Sequence, residues 1–373
     1  MLCCGVGIQK KKGRTTMLSL DKVFNAQMVL KNIIRETNVV RAYGSAPECE
    51  LSLKPENLQI TGSFKVRGSA YKIAMLSEEE KERGVIACSA GNHAQGVALA
   101  ATKNGIKSLI CLPDTAPISK VEATKGFGAD VCLVEGCYDD AYQRAIELRD
   151  SEGYTFVHPF DDENVIAGQG TIALEILSDL DNIDAIVVPI GGGGLISGIA
   201  YTAKQIRPSI KIYGVQAAGA PSMYNSIKDG EIECLPSVST IADGIAVKQP
   251  GDNTFALVRD YVDEIALVTD DEISSAILAL IEKQKMIAEG AGATAVAAVM
   301  AGKFDLRGKR VVAVVSGGNI DVTSLSRVID RGLRNSGRSS SMLIELLDKP
   351  GQLKEISSII ADCGANVTGG PYE

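Results

Sequence analysis

From position 85 onward, short and almost wholly apolar runs alternate with longer amphipathic ones: 85–88 then 93–104, 108–112 then 118–125, and 130–134 then 139–150. A second series follows, with 155–157, a helical pattern around 170–180, 185–189, a helical pattern from Leu195, then 211–216 and 310–315. Apolar runs this short, joined to helical patterns by brief turns, predict parallel strands with crossover helices. Their continuous rather than alternating apolarity predicts that helices cover both sheet faces. The expected fold class is therefore α/β, with two parallel-sheet units and a cleft between them. Near the start, Asp21 is placed to cap a helix whose Val23, Met28, Val29, Ile33 and Ile34 approximate one face. Arginine, serine and glycine between 332 and 341 read as a linker, followed by a strand candidate at 342–347 and a helix candidate at 353–362. No short repeat period runs through the chain.

Composition narrows the chemistry. The 373 residues are 45% apolar and 23% charged, enough for a large core, and 38 basic against 46 acidic side chains leave a net charge of -8. A polyphosphate backbone would be repelled, so nucleic acid is not an expected partner. Only His93 and His158 are present, and the nine cysteines contain no CxxC pair, which argues against zinc ribbons and multi-histidine metal centres. Cys88, Cys111 and Cys132 each lie inside apolar runs, as buried thiols in a reducing compartment do, so the cytoplasm is the expected location. The lysines at 10–12 follow a very short apolar start, the reverse of a secretory signal. Residues 1–16 read as a disordered extension, with Met17 a second candidate start. The long uncharged stretch 185–203 contains Pro189 and four consecutive glycines, which is strand, loop and helix punctuation and not a membrane span.

Four motifs carry candidate chemistry. In Val187-Val188-Pro189-Ile190-Gly191-Gly192-Gly193-Gly194-Leu195 an apolar strand runs into glycines and then a helix, an arrangement whose backbone N–H groups and helix N-terminus suit a phosphate. It matches neither GxGxxG nor GK[ST]; the plain alternative is a loop that needs glycine only for tight packing. Thr61-Gly62-Ser63-Phe64-Lys65-Val66-Arg67-Gly68 places a lysine among small and apolar residues ahead of a helix. Alone it reads as a surface charge, but desolvation in an apolar pocket would free a neutral amine for covalent chemistry. Ser89-Ala90-Gly91-Asn92-His93-Ala94-Gln95-Gly96 and Val314-Val315-Ser316-Gly317-Gly318-Asn319 each follow a strand, where open α/β sheets bind ligands, with helix capping as the alternative use of their polar side chains.

Together, and in this order, these motifs resemble the pyridoxal-phosphate enzymes of the tryptophan-synthase-β fold type, and within it the threonine and serine dehydratases. The resemblance runs over about residues 18–333 and includes Val165-Ile166-Ala167-Gly168-Gln169-Gly170-Thr171, Ile241-Ala242-Asp243-Gly244 and Glu289-Gly290-Ala291-Gly292-Ala293. It implies that Lys65 carries pyridoxal 5'-phosphate covalently and acts as the catalytic base. Phe64 would pack on the ring, Asn92 would meet the phenolic oxygen, and Gly191, Gly192, Gly193, Gly194 and Leu195 would hold the phosphate. Ser316 would face the pyridine nitrogen, Gly244 would lie along the other ring face, and Ser89, Asn92 and His93 would grip the substrate carboxylate, His93 by its backbone. A hydroxyl at the ring nitrogen would make a weaker electron sink than a carboxylate-paired ring and favour prompt loss of a β-substituent.

The implied reaction is dehydration and deamination of L-threonine to 2-oxobutanoate and ammonia, with L-serine to pyruvate beside it. Serine dehydratase, or a serine racemase with elimination activity, is the alternative within enzymes; a silent amino-acid sensor or a cofactor-binding scaffold is the alternative outside them. Against a racemase, the position where serine racemases carry a second serine acid/base is Ala90, and Gln216, Ala220 and Ser222 replace their divalent-metal carboxylates. No divalent metal is expected, while a monovalent cation held by carbonyl oxygens stays open. The resemblance divides the chain into a larger cofactor-binding unit, 17–79 with 156–333, and a smaller one, 80–155. A linker at 334–341 would lead to 342–373, similar to the first part of an ACT-type regulatory domain that stops partway. A homodimer or homotetramer is implied.

Overall fold

Among the residues described by the computed structural model (18–44, 46, 48–367 and 369), the strands in chain order are β1 (Val40–Arg41), β2 (Glu50–Pro55), β3 (Val85–Cys88), β4 (Ser108–Pro113), β5 (Asp130–Val134), β6 (Thr155–Phe156), β7 (Ala185–Pro189), β8 (Lys211–Ala217), β9 (Glu264–Val268) and β10 (Arg310–Val315). They form two sheets, ordered β1-β2-β10-β7-β8-β9 and β5-β4-β3-β6. All neighbours are parallel except β1 with β2. The expected extension at 1–16 lies outside the described residues.

The two-sided burial expected from continuous apolar runs is visible residue by residue. Ala185, Val187, Val311, Ala313 and Val315 face one layer, where helices Asp270–Ala279 and Gly290–Met300 cover them. Ile186, Val188, Val312 and Val314 face the opposite layer, under helices Glu163–Asp179 and Gly194–Ile206. The period of two along a strand thus fills two cores from one apolar run. In the smaller sheet Cys88, Cys111 and Cys132 stand side by side on three adjacent strands, as free thiols. Burial pushes Cys88 and Cys111 up to about 12, which keeps both protonated and unreactive.

Several expectations are corrected. Strands β1, β2 and β9 do not figure among the expected elements. In β2 Leu51 and Leu53 enter the core, while the next residue, Lys54, is just as fully buried, which hides the strand from a hydrophobicity pattern. The first helix, Leu20–Leu30, is capped by the Ser19 hydroxyl, which accepts from Lys22 N–H; Asp21 lies in its first turn. Its buried face is Val23, Ala26 and Leu30, with Met28 exposed to solvent. Residues 342–347 form no strand: they pair with neither sheet, and their Met342, Leu343 and Leu347 are exposed, so the run gains neither the ladder nor the burial that a strand needs. Helix Val322–Asn335 runs through the start of the expected linker because Gly332 is buried against Ser274 and Leu278, where an added Cβ would come within 3.0 Å of the Ser274 carbonyl oxygen. The expected terminal helix is present as Gln352–Asp362, with none of its residues buried.

Lys54 is buried with its charge because a complete ionic cluster forms between β2 and helices Lys65–Ala74 and Glu163–Asp179. Arg67 donates to both Glu56 oxygens at 2.8 Å and to Glu175 at 2.5 and 2.8 Å. Lys54 donates to Glu175 at 2.5 Å and also to the Thr37 carbonyl. Two cations thus meet two carboxylates in a neutral set, and Arg67 lies two residues beyond Lys65 on the same helix. Removing one member strands the others' charge in the core, an effect of about 3–5 kcal/mol. Arg67→Leu is therefore expected to lower unfolding stability by about that amount in denaturant titration; a loss near zero would show that the cluster does not anchor this helix.

Candidate active site

A cavity of about 820 Å³ opens between the two sheets, and all the residues expected at the site line it: Phe64, Lys65, Ser89, Asn92, His93, Gly191, Gly192, Gly193, Gly194, Leu195, Gly244 and Ser316. The topology explains the convergence. The segments after β3, β7 and β10 all leave the carboxyl ends of parallel strands, and open α/β sheets place their ligand crevices at those ends.

Lys65 opens helix Lys65–Ala74. Its amine donates to the Pro159 carbonyl at 2.9 Å and lies 5.3 Å from the centre of the Phe64 ring. Burial lowers its pKa to about 8, against a smaller opposing pull from the Glu289 carboxylate. A neutral amine is thus accessible near physiological pH, the state a nucleophile or general base requires.

The glycine loop turns sharply into helix Gly194–Ile206 through Gly193, whose φ of +100° disfavours any side chain. Packing also needs these glycines: an added Cβ would come within 2.5 Å of the Phe160 ring at Gly192 and 2.8 Å of the Phe160 carbonyl oxygen at Gly194. Packing does not explain the loop's donors. Among the described residues, the N–H groups of Gly191 through Leu195 find no acceptor, and the helix ladder begins only with Ser197 N–H to the Gly193 carbonyl at 2.9 Å. Five unpaired donors at a helix N-terminus on a cavity wall match the donor set of an anion site.

Asn92 begins helix Asn92–Lys103, and its Nδ2 donates to Glu289 at 2.6 Å. Ser89 accepts from Gly91 N–H at 3.1 Å, closing its own turn. His93 is buried, its Nε2 donating to the Val157 carbonyl at 2.8 Å, and burial with Lys65 nearby lowers its pKa to about 3. A neutral, engaged ring leaves only the backbone of His93 for a ligand. Ser316 is buried at the end of β10, with its hydroxyl 3.4 Å from the Ala291 carbonyl it donates to. Gly244 sits in the turn Asp243–Ile245, where a Cβ would lie 3.0 Å from Ala291 and 3.5 Å from Glu289.

Two residues without an expected role stand at the site, Glu289 on the cavity wall and Asn319 behind Asn92. Glu289 is buried, and Asn319 donates to Asn92 Oδ1 at 2.7 Å. Both stand in the quoted motifs, but only their tertiary contacts distinguish them. Two ion pairs, Lys120 with Asp243 at 2.8 Å and Lys248 with Asp139 at 3.3 Å, link the smaller sheet's helices to the segment 243–252. Lys248 and both carboxylates are largely exposed, so these pairs add little stability. Among the described residues no cluster of His, Cys, Asp or Glu could hold a metal ion.

A family model described as pyridoxal-phosphate dependent enzyme matches residues 30–317. The chain is 51% identical over 355 residues to an L-threonine ammonia-lyase of Thermotoga maritima, covering 94% of this chain and 88% of that protein. It is 44% identical over 315 residues to the catabolic L-threonine dehydratase TdcB of Escherichia coli K12, covering 83% and 96%. Among solved structures, the processed form of threonine deaminase isoform 2 from Solanum lycopersicum superposes with a TM-score of 0.80 at 38% identity, covering 84% of this chain and 94% of that one. Maize serine racemase gives 0.80 at 35% identity, covering 85% and 98%.

The opposed influences on Lys65 make a signed prediction. Because the Glu289 carboxylate raises its pKa, Glu289→Gln should lower it further and increase the neutral amine at neutral pH. Reductive methylation of cofactor-free protein, mapped by peptide mass, should then label Lys65 faster in the variant; slower labelling would contradict the assigned influence.

Proposed function

The chain belongs to the pyridoxal-phosphate-dependent enzyme family, and from that premise we propose that it is a threonine ammonia-lyase, a carbon–nitrogen lyase that converts L-threonine to 2-oxobutanoate and ammonia. L-serine would give pyruvate by the same route. The relatives named for this activity, 44–51% identical over most of the chain, support the reading. The observation that carries it is the five unpaired N–H groups of Gly191 through Leu195 sharing one cavity with the desolvated Lys65 amine. A phosphate-bearing aldehyde needs both, and the donor set fits it.

In this reading the five amides would hold the phosphate, Lys65 the aldehyde carbon, Asn92 the phenolic oxygen and Ser316 the pyridine nitrogen, with Phe64 and Gly244 lining the space for the ring. When bound, the cofactor supplies the electron sink that makes an amino acid's α-proton removable. The Lys65 amine, desolvated on the cavity wall, would take that proton as general base. Ser89, Asn92 and the His93 backbone orient the carboxylate. Ser316 would offer the ring nitrogen a hydroxyl and no formal charge, which would favour prompt departure of the β-hydroxyl. The water lost from the β-carbon is regained when the released enamine hydrolyses, so the net change is loss of ammonia.

The serine racemase reading draws on structural likeness. Ala90 weighs against it, since a methyl group cannot transfer a proton to the opposite face of a substrate. The proposal extends to a monovalent cation held by carbonyl oxygens, a homodimer or homotetramer, and a cytoplasmic setting, the last supported by the free cysteines. No helix among the described residues is long and apolar enough to cross a membrane. The segment from 342 is read as ACT-like on resemblance alone; its exposed Leu343, Leu347 and Leu353 are the side chains such a module would cover.

Steady-state keto-acid assays test the reading. Threonine should yield 2-oxobutanoate at a higher kcat/KM than serine yields pyruvate, and Lys65→Ala should abolish both. Near-normal turnover by that variant, or D-serine as the main product from L-serine, would overturn it.

A further inference from the structure

Glu289 lies on the cavity wall and has no part in the roles above. It occupies the N-cap position of helix Gly290–Met300 without capping it through its side chain. Its backbone N–H instead donates to the Gly317 carbonyl at 3.1 Å, and its buried carboxylate accepts from Asn92 Nδ2 at 2.6 Å.

The polarity of that bond is fixed from a distance. Asn319 Nδ2 donates to the Thr61 carbonyl at 2.7 Å, and a backbone carbonyl can only accept, so the nitrogen end of Asn319 must face inward. The same nitrogen donates to Asn92 Oδ1 at 2.7 Å, with Gln95 Oε1 a longer neighbour at 3.4 Å. Asn92 must therefore present its oxygen to Asn319 and its nitrogen to Glu289. An amide nitrogen has two hydrogens. Glu289 takes one, and among the described residues the second finds no acceptor.

We propose that Glu289 and Asn319 are positioning residues that hold the Asn92 amide with its spare hydrogen directed to the phenolic oxygen of the cofactor, so that the charge on Glu289 is felt at that oxygen. The inference rests on the cofactor reading above and deepens it. Asn319 joins the loop before Lys65, the helix of Asn92 and the loop of Ser316 in one chain of hydrogen bonds, so the orientation of one amide depends on three separate segments.

Burial, with Asp243 adding to it, raises the pKa of Glu289 to about 7; the Asn92 bond, Lys120 and Lys65 oppose the shift. The groups facing it are Lys65 and Asn92 from their helices, Lys120 from helix Ile118–Gly126, Asp243 from its turn, and the backbone of Gly317. A carboxylate accepts a hydrogen bond more strongly than a carboxylic acid does. As pH rises through this pKa, the bond to Asn92 strengthens and a negative charge appears beside the ring oxygen. As pH falls through it, both are lost.

The test uses the cofactor-loaded protein and reads its visible absorbance across the neutral range, its cofactor dissociation constant by fluorescence titration, and its melting temperature. Wild type should show a step in cofactor absorbance with a midpoint near pH 7. Glu289→Gln can still accept from Asn92 through its amide oxygen, so it should keep the melting temperature and lose the step. Asn319→Asp places an acceptor against Asn92 Oδ1, forces the amide to turn, and should weaken cofactor binding by roughly tenfold or more. Loaded variants with the wild-type spectrum, pH profile and affinity would overturn the inference while leaving the cofactor reading intact. A wild type that takes up no cofactor would overturn both. If Glu289→Gln fails to fold, the wild-type titration still decides, because a flat profile through neutral pH rules out a titrating Glu289 beside the ring oxygen.

Discussion

The site depends on a short seam between two loops far apart in sequence. Phe64 N–H donates to the Ser316 carbonyl at 3.1 Å, Gly318 N–H to the Gly62 carbonyl at 2.9 Å, and Asn319 Nδ2 to the Thr61 carbonyl at 2.7 Å, around an isolated bridge of Ser63 with Gly317. This stitching fixes Lys65 relative to the end of β10. It tolerates no extra atoms: a Cβ at Gly62 would come within 2.2 Å of Asn319 and one at Gly317 within 2.4 Å of Glu289. Gly62 also has a φ of +69°, a conformation that glycine adopts without strain.

The ionic cluster supports the seam from behind. Arg67, on the same helix as Lys65, is held by Glu56 and Glu175, and Lys54 completes the neutral set from β2. Helix Lys65–Ala74 is thereby tied to the sheet and to helix Glu163–Asp179 at once. A burial that would be unfavourable for any one of these charges becomes tolerable for the complete set. The electrostatics of the cavity follow from the same burial: desolvation moves Lys65 down and Glu289 up, leaving an amine and a carboxyl that titrate close to neutrality.

Much of this was legible in the sequence where a signal is contiguous. The parallel strands β7 and β10 declare themselves as unbroken apolar runs, and the four motifs are runs of consecutive residues, three of them at strand ends and the one with Lys65 at a helix start. The signal fails where an interaction is tertiary. Strand β2 carries Lys54 into the core, and a hydrophobicity pattern cannot foresee the carboxylate that awaits it. Residues 342–347 have the apolarity of a strand, but a strand also needs a partner, and they pair with neither sheet. Ser19 and Asp21 are both fit to cap the first helix, and only the backbone path selects Ser19. Glu289 and Asn319 gain their significance from Asn92, about two hundred positions away in sequence, which no local pattern encodes.

The central claim is that Lys65, beside the unpaired amides of Gly191 through Leu195, is the point at which this cavity holds its cofactor. Borohydride reduction of the purified, cofactor-loaded protein, followed by proteolysis and peptide mass mapping, tests it most directly. The account predicts that the reduced cofactor stays on the peptide containing Lys65 and on no other lysine. Label on a different lysine, or a loaded protein that releases all of its cofactor after reduction, would contradict it.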